Sequence, residues 1–144
     1  MTQIRYVIMV YRLLIRDWMK KDQAEELRDK HKEEKMNGLF KGWFDSGQQK
    51  WEITYKTGKM EGLWSWWYES GVKEFEKNYK DGELHGLATV WYESGQKESL
   101  RNWKSDKLDG LSILYNEDGT EKGRYTFKDG ELLESSPDAP QLID

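Results

Sequence analysis

The sequence of 144 residues contains no cysteine, only two prolines and only two histidines. Without cysteine the chain has no disulfide bond and no thiol chemistry, which excludes a small disulfide-held domain but does not exclude secretion. The histidines, His31 and His85, cannot form a standard zinc-ligand set in the absence of cysteine. Both prolines, Pro137 and Pro140, lie after Leu133. We therefore predict no metal site and no cofactor.

Long apolar runs and catalytic motifs are also missing. The uncharged run over residues 6–11 is too short for a secretory signal peptide or a membrane span, so neither is expected. No glycine-rich phosphate loop precedes a helical pattern, and the many carboxylates are spread along the chain without a distinct pair. The sequence predicts no catalytic residue, and therefore a protein that is not an enzyme.

The main feature of the chain is a unit of 24 residues that occurs four times without a gap. The copies start at Gly38, Gly62, Gly86 and Gly110, and leucine follows the glycine in each. Further columns of aromatic residues, glycine and lysine recur at fixed distances from this start. A fixed period in the range of 20–50 residues is typical of a repeat architecture.

Each unit has the pattern of two strands and two turns. Aromatic and β-branched residues fill the segments between glycines, as strands favour. The sequence Tyr-Glu-Ser-Gly at 68–71 suits a short hairpin loop, and Asp81-Gly82 suits a two-residue type I′ turn. Successive hairpins predict an antiparallel meander that advances about 10 Å per repeat. The sequence thus predicts an all-β repeat fold.

The pattern G-L-x-x-x-W-Y-x-x-G-x-K-x-x-x-x-x-Y-K-x-G resembles a MORN repeat, in the variant form found in bacteria. The resemblance covers residues 38–133. It implies an elongated, single-layer antiparallel β-meander that acts in binding or scaffolding. It also implies a similarity to small bacterial antitoxin or immunity proteins, and in larger proteins an association with membranes and with dimerisation.

Residues 1–21 form a basic segment with a net charge of +4, which leaves −8 for the rest of the chain. Apolar residues at helical spacing predict an amphipathic N-terminal helix, with Arg5, Arg12 and Arg16 on a neighbouring stripe. The aromatic and β-branched residues around Val7 favour a strand instead. Both alternatives stay open.

The segments on either side of the repeats are less regular. Residues 22–37 have helical propensity, but the repeat register aligns them with a degenerate half-repeat or cap that has a strand at 25–32. Residues 134–144 are acidic and contain both prolines, so we expect a flexible tail.

Two tryptophans stand out because the repeat does not require them. Trp64 and Trp66 occupy columns that hold other residue types in the other copies, and with Tyr68 they alternate along one face of a strand. They either pack against neighbouring strands or the N-terminal segment, or form an aromatic contact patch for a partner. The candidate partner-binding residues are therefore Trp64, Trp66 and Tyr68.

The sequence predicts a protein-interaction module, cytoplasmic or peripheral to a membrane. Its expected partner is another protein, and the resemblance implies that this could be a toxin. The alternative is a membrane-associated adaptor that binds anionic lipid through Arg5, Arg12 and Arg16. Self-association is a further alternative. Nucleic acid is not expected, because the acidic repeat region would repel phosphates.

Overall fold

The computed structural model describes residues 37–142, which form one open antiparallel sheet. Nine strands lie side by side in sequence order: β1 (Gly38–Trp43), β2 (Gln49–Lys56), β3 (Lys59–Trp67), β4 (Lys73–Lys80), β5 (Glu83–Trp91), β6 (Lys97–Lys104), β7 (Lys107–Tyr115), β8 (Glu121–Lys128) and β9 (Glu131–Ser135). The described part contains no helix, and the predicted β-meander is confirmed. The basic segment 1–21 and the cap over 22–37, except for Asn37, lie outside the described residues.

The two-residue turns all lie at the same end of the strands. Asp81 and Gly82 both have positive φ, 52° and 88°, and Lys80 pairs with Glu83, as a type I′ turn requires. The equivalent turn after β6 has Asp106 in place of glycine, at φ 64°. Each of these turns is also bonded to the preceding repeat: the amides of Gly82, Asp106 and Gly130 donate to the carbonyl oxygens of Met60, Leu84 and Leu108, at 2.8–3.1 Å. The turns therefore stack on one another along this end of the strands.

The longer loops lie at the opposite end of the strands and close in the same way in every repeat. The Gly95 amide donates to the Tyr92 carbonyl at 2.9 Å, and the Tyr92 amide donates to the Gln96 carbonyl at 2.8 Å. Gly95 has φ 89° and Gly71 has φ 87°, so the predicted positive φ is confirmed. Residues with a Cβ atom adopt this conformation at a cost, β-branched ones most of all.

Replacing Gly95 with valine should therefore lower the free energy of unfolding by about 1–3 kcal/mol through backbone strain. Thermal and urea-induced unfolding would measure the loss. A steric clash is not the cause of the loss, because a Cβ at Gly95 would meet no atom within 4 Å. Gly95→Asn is the matched control, since asparagine tolerates this region better. An equal loss for both variants would contradict strain as the cause.

The C-terminal segment after β9 lies against the last hairpin. The Ser136 amide donates to the Arg124 carbonyl at 2.8 Å, and the Tyr125 hydroxyl donates to the Pro140 carbonyl at 2.6 Å. Gly123 makes room for this contact, because a Cβ there would be 2.9 Å from Pro140 Cδ. The packed cluster contains Leu114, Tyr125, Phe127, Leu108, Ala139 and Leu142. Composition predicts a flexible tail over 134–144, but up to residue 142 the structure shows specific contacts instead.

Candidate interaction face

The alternation of side chains gives the sheet two distinct faces. On the first, which we call the core face, Ile53, Trp64, Trp66, Phe75 and Val90 belong to one buried cluster. On the second, which we call the leucine face, Leu39, Leu63, Leu87 and Leu111 are all exposed. Leu63 and Trp67 are separated from Trp64 and Trp66 by odd numbers of residues in β3, so they project from the opposite side.

The structure places Trp64 and Trp66 on the core face. Their exposed fractions are 2% and 9%, and Phe75, which pairs with Trp66, is 1% exposed. The Trp64 and Phe75 rings meet edge to face with centroids 4.9 Å apart, a favourable aromatic geometry. The structure therefore supports the first interpretation, packing, and gives neither tryptophan an exposed contact surface.

Residue sizes on the core face compensate each other across the strands. Gly42 pairs with Trp51, and a Cβ at Gly42 would lie 2.2 Å from the Trp51 ring. At the other end Leu114 pairs with Gly123, while the large Trp66 and Phe75 meet in the centre. The variation within these sequence columns thus reflects close packing between neighbouring strands.

Tyr68 links one repeat to the next. Its hydroxyl donates to the Trp91 carbonyl at 3.0 Å, and the Tyr92 hydroxyl donates in the same way to the Tyr115 carbonyl at 2.8 Å. Burial raises the pKa of Tyr92, and the charges of Glu98 and Glu117 raise it further, so this hydroxyl keeps its donor proton. The geometry gives Tyr68 a structural role between repeats.

The leucine face exposes one row of apolar side chains. Its four leucines have exposed fractions between 37% and 55%, although leucine in every copy of a repeat would ordinarily suggest a core position. They lie on every second strand, and successive leucines are therefore about 10 Å apart. In β3, Leu63 and the buried Trp64 and Trp66 point to opposite faces, and this alternation is the sequence signal for the row. Alternation alone does not tell which of the two faces is covered.

A second row on the leucine face is aromatic and basic. It contains Trp43, Trp67, Trp91 and Tyr115, of which Trp43 is 60% exposed and the others are half-buried. The Lys73 ammonium nitrogen lies 5.6 Å from the Trp67 ring centroid and 5.9 Å from that of Trp91. Lys73 also contacts the Glu76 carboxylate. We call this row the aromatic ladder.

Other site predictions receive no geometric support. Arg5, Arg12 and Arg16 lie outside the described residues. Within 37–142, no group of histidine, aspartate and glutamate side chains has an arrangement that could hold a metal ion. No helix in this part of the chain is long and apolar enough to cross a bilayer.

Comparison with known proteins identifies the repeat. The family model described as MORN repeat variant matches residues 60–81 and 84–105. No curated protein matches the chain. The two matched segments cover β3 to β6 almost completely, and the same hairpins continue on both sides of them. Residues 60–105 therefore contain two MORN repeats of the variant type.

Proposed function

We propose that this protein is a non-catalytic protein-interaction module and that its leucine face binds the partner. MORN repeats are generally modules for interaction with proteins or membranes. The observation that carries the proposal is the row formed by Leu39, Leu63, Leu87 and Leu111, exposed on the face opposite the buried aromatic cluster. Exposed apolar side chains grouped on one face are typical of interaction surfaces.

The row suits an extended protein surface better than a small molecule. Its four leucines span about 30 Å, the length of six strand spacings. Polar residues lie between the leucines: Asn78 pairs with Leu63 and Asn102 pairs with Leu87. Their side-chain amides donate to the carbonyls of the next leucines, Leu87 and Leu111, both at 2.8 Å. A mixture of apolar and polar side chains is usual for the surface of a non-obligate protein–protein interface.

The more specific form of this proposal is an antitoxin- or immunity-like role, in which the bound protein is a toxin. Its support is the resemblance of the repeats to small bacterial proteins of that kind. The alternative is a cytoplasmic adaptor at the membrane surface, which would use Arg5, Arg12 and Arg16. No contact within residues 37–142 favours that alternative over protein binding.

The triple variant Leu63→Ser, Leu87→Ser and Leu111→Ser tests the binding face. We expect capture of the partner from a lysate of the native host to fall at least about tenfold, because apolar area at the interface centre is lost. The melting temperature should stay within a few degrees of the wild type, since the leucines are exposed. Affinity capture with quantitative mass spectrometry, beside thermal unfolding, provides both readouts.

The matched control replaces three exposed lysines with serine. They are the residues directly before the two-residue turns, Lys56, Lys80 and Lys104. It should retain the partner. Equal capture by the wild type and the leucine variant would reject the leucine face as the binding surface.

A further inference from the structure

The first and second repeats share one arrangement on the aromatic ladder but differ in the side chain that lies between the two tryptophans. In the second repeat, Trp67 pairs across the strands with Lys73, and the carboxylate of Glu76 contacts that lysine. In the first repeat the equivalent positions are Trp43, Gln49 and Glu52, and Trp43 pairs with Gln49. The lysine between two tryptophans is thus replaced by a neutral residue.

Lys73 shows what the gap between two ladder tryptophans accommodates. Its ammonium lies within 6 Å of both ring centroids, the range of a cation–π interaction, and it also contacts a carboxylate. The third repeat keeps lysine at this position, Lys97. In the first repeat the two rings and the carboxylate are retained without the cation.

The acceptor in the first repeat is available for a further contact. Gln49 Nε2 donates to Glu52 Oε2 at 3.1 Å, and Lys41 Nζ lies 3.2 Å from the same oxygen. Within residues 37–142, Glu52 Oε1 has no partner. The Trp43 ring makes no aromatic or cation contact in the described part of the chain and is 60% exposed.

We propose that the gap between Trp43 and Trp67, with Glu52, binds a lysine or arginine side chain of the protein partner. This inference rests on the proposed interaction function and defines one contact within it. The faces of the two indoles attract a cation, and the free carboxylate oxygen of Glu52 accepts a hydrogen bond from it. The bound cation would displace the Gln49 amide from Glu52 and take the place that the Lys73 ammonium fills one repeat later.

Charge complementarity favours a cation over a neutral or acidic group. Gln49 adds no charge, and Glu52, whose carboxylate contacts the Gln49 amide, adds one negative charge. Two lysines offset part of the attraction: the Lys41 ammonium shares Glu52 with the incoming group, and the Lys73 ammonium lies 5.6 Å from the Trp67 ring centroid. Removing the Lys41 charge should therefore strengthen binding, while a lysine at position 49 should block it.

The probe is the capped tripeptide acetyl-Gly-Arg-Gly-amide, titrated into the ¹⁵N-labelled full chain at low salt. Its control is the same peptide with citrulline, which has nearly the same shape without the charge. We expect saturable shifts of the Trp43 and Trp67 indole N–H signals with the arginine peptide only. Lys41→Gln should tighten binding about two- to fivefold, the range expected for loss of one exposed competing charge.

Gln49→Lys should reduce these shifts at least about tenfold. It reproduces an arrangement already present in the second repeat, so thermal unfolding should be unchanged. The reciprocal variant Lys73→Gln should produce a second set of shifts at the Trp91 indole. Equal shifts with the citrulline peptide, or shifts that persist in Gln49→Lys, would overturn the proposal.

Partner capture separates this inference from the proposed function. If the leucine variant loses the partner but Gln49→Lys binds it as well as the wild type, the interaction face stands and the cation site is rejected. If both variants retain the partner, both proposals are rejected. Loss of the partner by both variants, together with the peptide shifts, supports both.

Discussion

Replacing Trp64 with alanine is expected to lower the free energy of unfolding by about 3–5 kcal/mol. Trp64 is 2% exposed and contacts the rings of Trp66, Phe75 and Tyr79, so the substitution leaves a large cavity in the centre of the core face. For a domain of this size, the melting temperature should fall by roughly 10–20 °C. Thermal unfolding followed by circular dichroism, with urea titration, would measure both quantities.

Trp43→Ala is the matched control for this prediction. The residue type and the change are the same, but Trp43 is exposed on the leucine face. Its loss should be below about 1 kcal/mol. If the two variants unfold at the same temperature, the assignment of the core face is incorrect.

Deleting residues 136–144 is expected to destabilise the protein by about 2–4 kcal/mol. The deletion removes the hydrogen bond from Tyr125 to Pro140 and the packing of Ala139 and Leu142 on the last cluster. Buried hydrogen bonds contribute about 0.5–1.5 kcal/mol each and a buried aliphatic side chain about 1.5–3 kcal/mol, of which these half-buried residues supply part.

A shorter deletion of residues 143–144 keeps every one of these contacts and should leave stability unchanged. Urea-induced unfolding of both deletions would give the difference directly. A flexible tail, as composition predicts, would instead make both deletions neutral.

The sequence predicted the strands and turns well because their chemistry is local. Asp81-Gly82 and Gly95 occupy positions that require positive φ, and few residue types fit there. The period of 24 residues then extends each local assignment to the other copies. The MORN resemblance and the β-meander followed from these positions.

The candidate site was harder to predict because both faces of the sheet carry large apolar side chains. Alternation separates Trp66 from Trp67, but it gives no information on which of the two faces is covered. The decisive contacts are cross-strand pairs such as Gly42 with Trp51, whose sizes are complementary only once the register is known. Trp64 and Trp66 therefore looked like additions to the repeat, whereas the structure packs them in its core.

The stacking of each turn on the preceding repeat also bears on how the chain folds. Every strand pairs only with its neighbours in sequence, and each connection contains either two or five residues. The loop-closure entropy lost in forming each pair is therefore small, and the relative contact order is low for an all-β protein. Folding can begin at any hairpin and spread to both sides, as in other linear repeat arrays. A nine-stranded sheet of this kind should form faster than a β-sandwich of equal length, whose strands must first find distant partners.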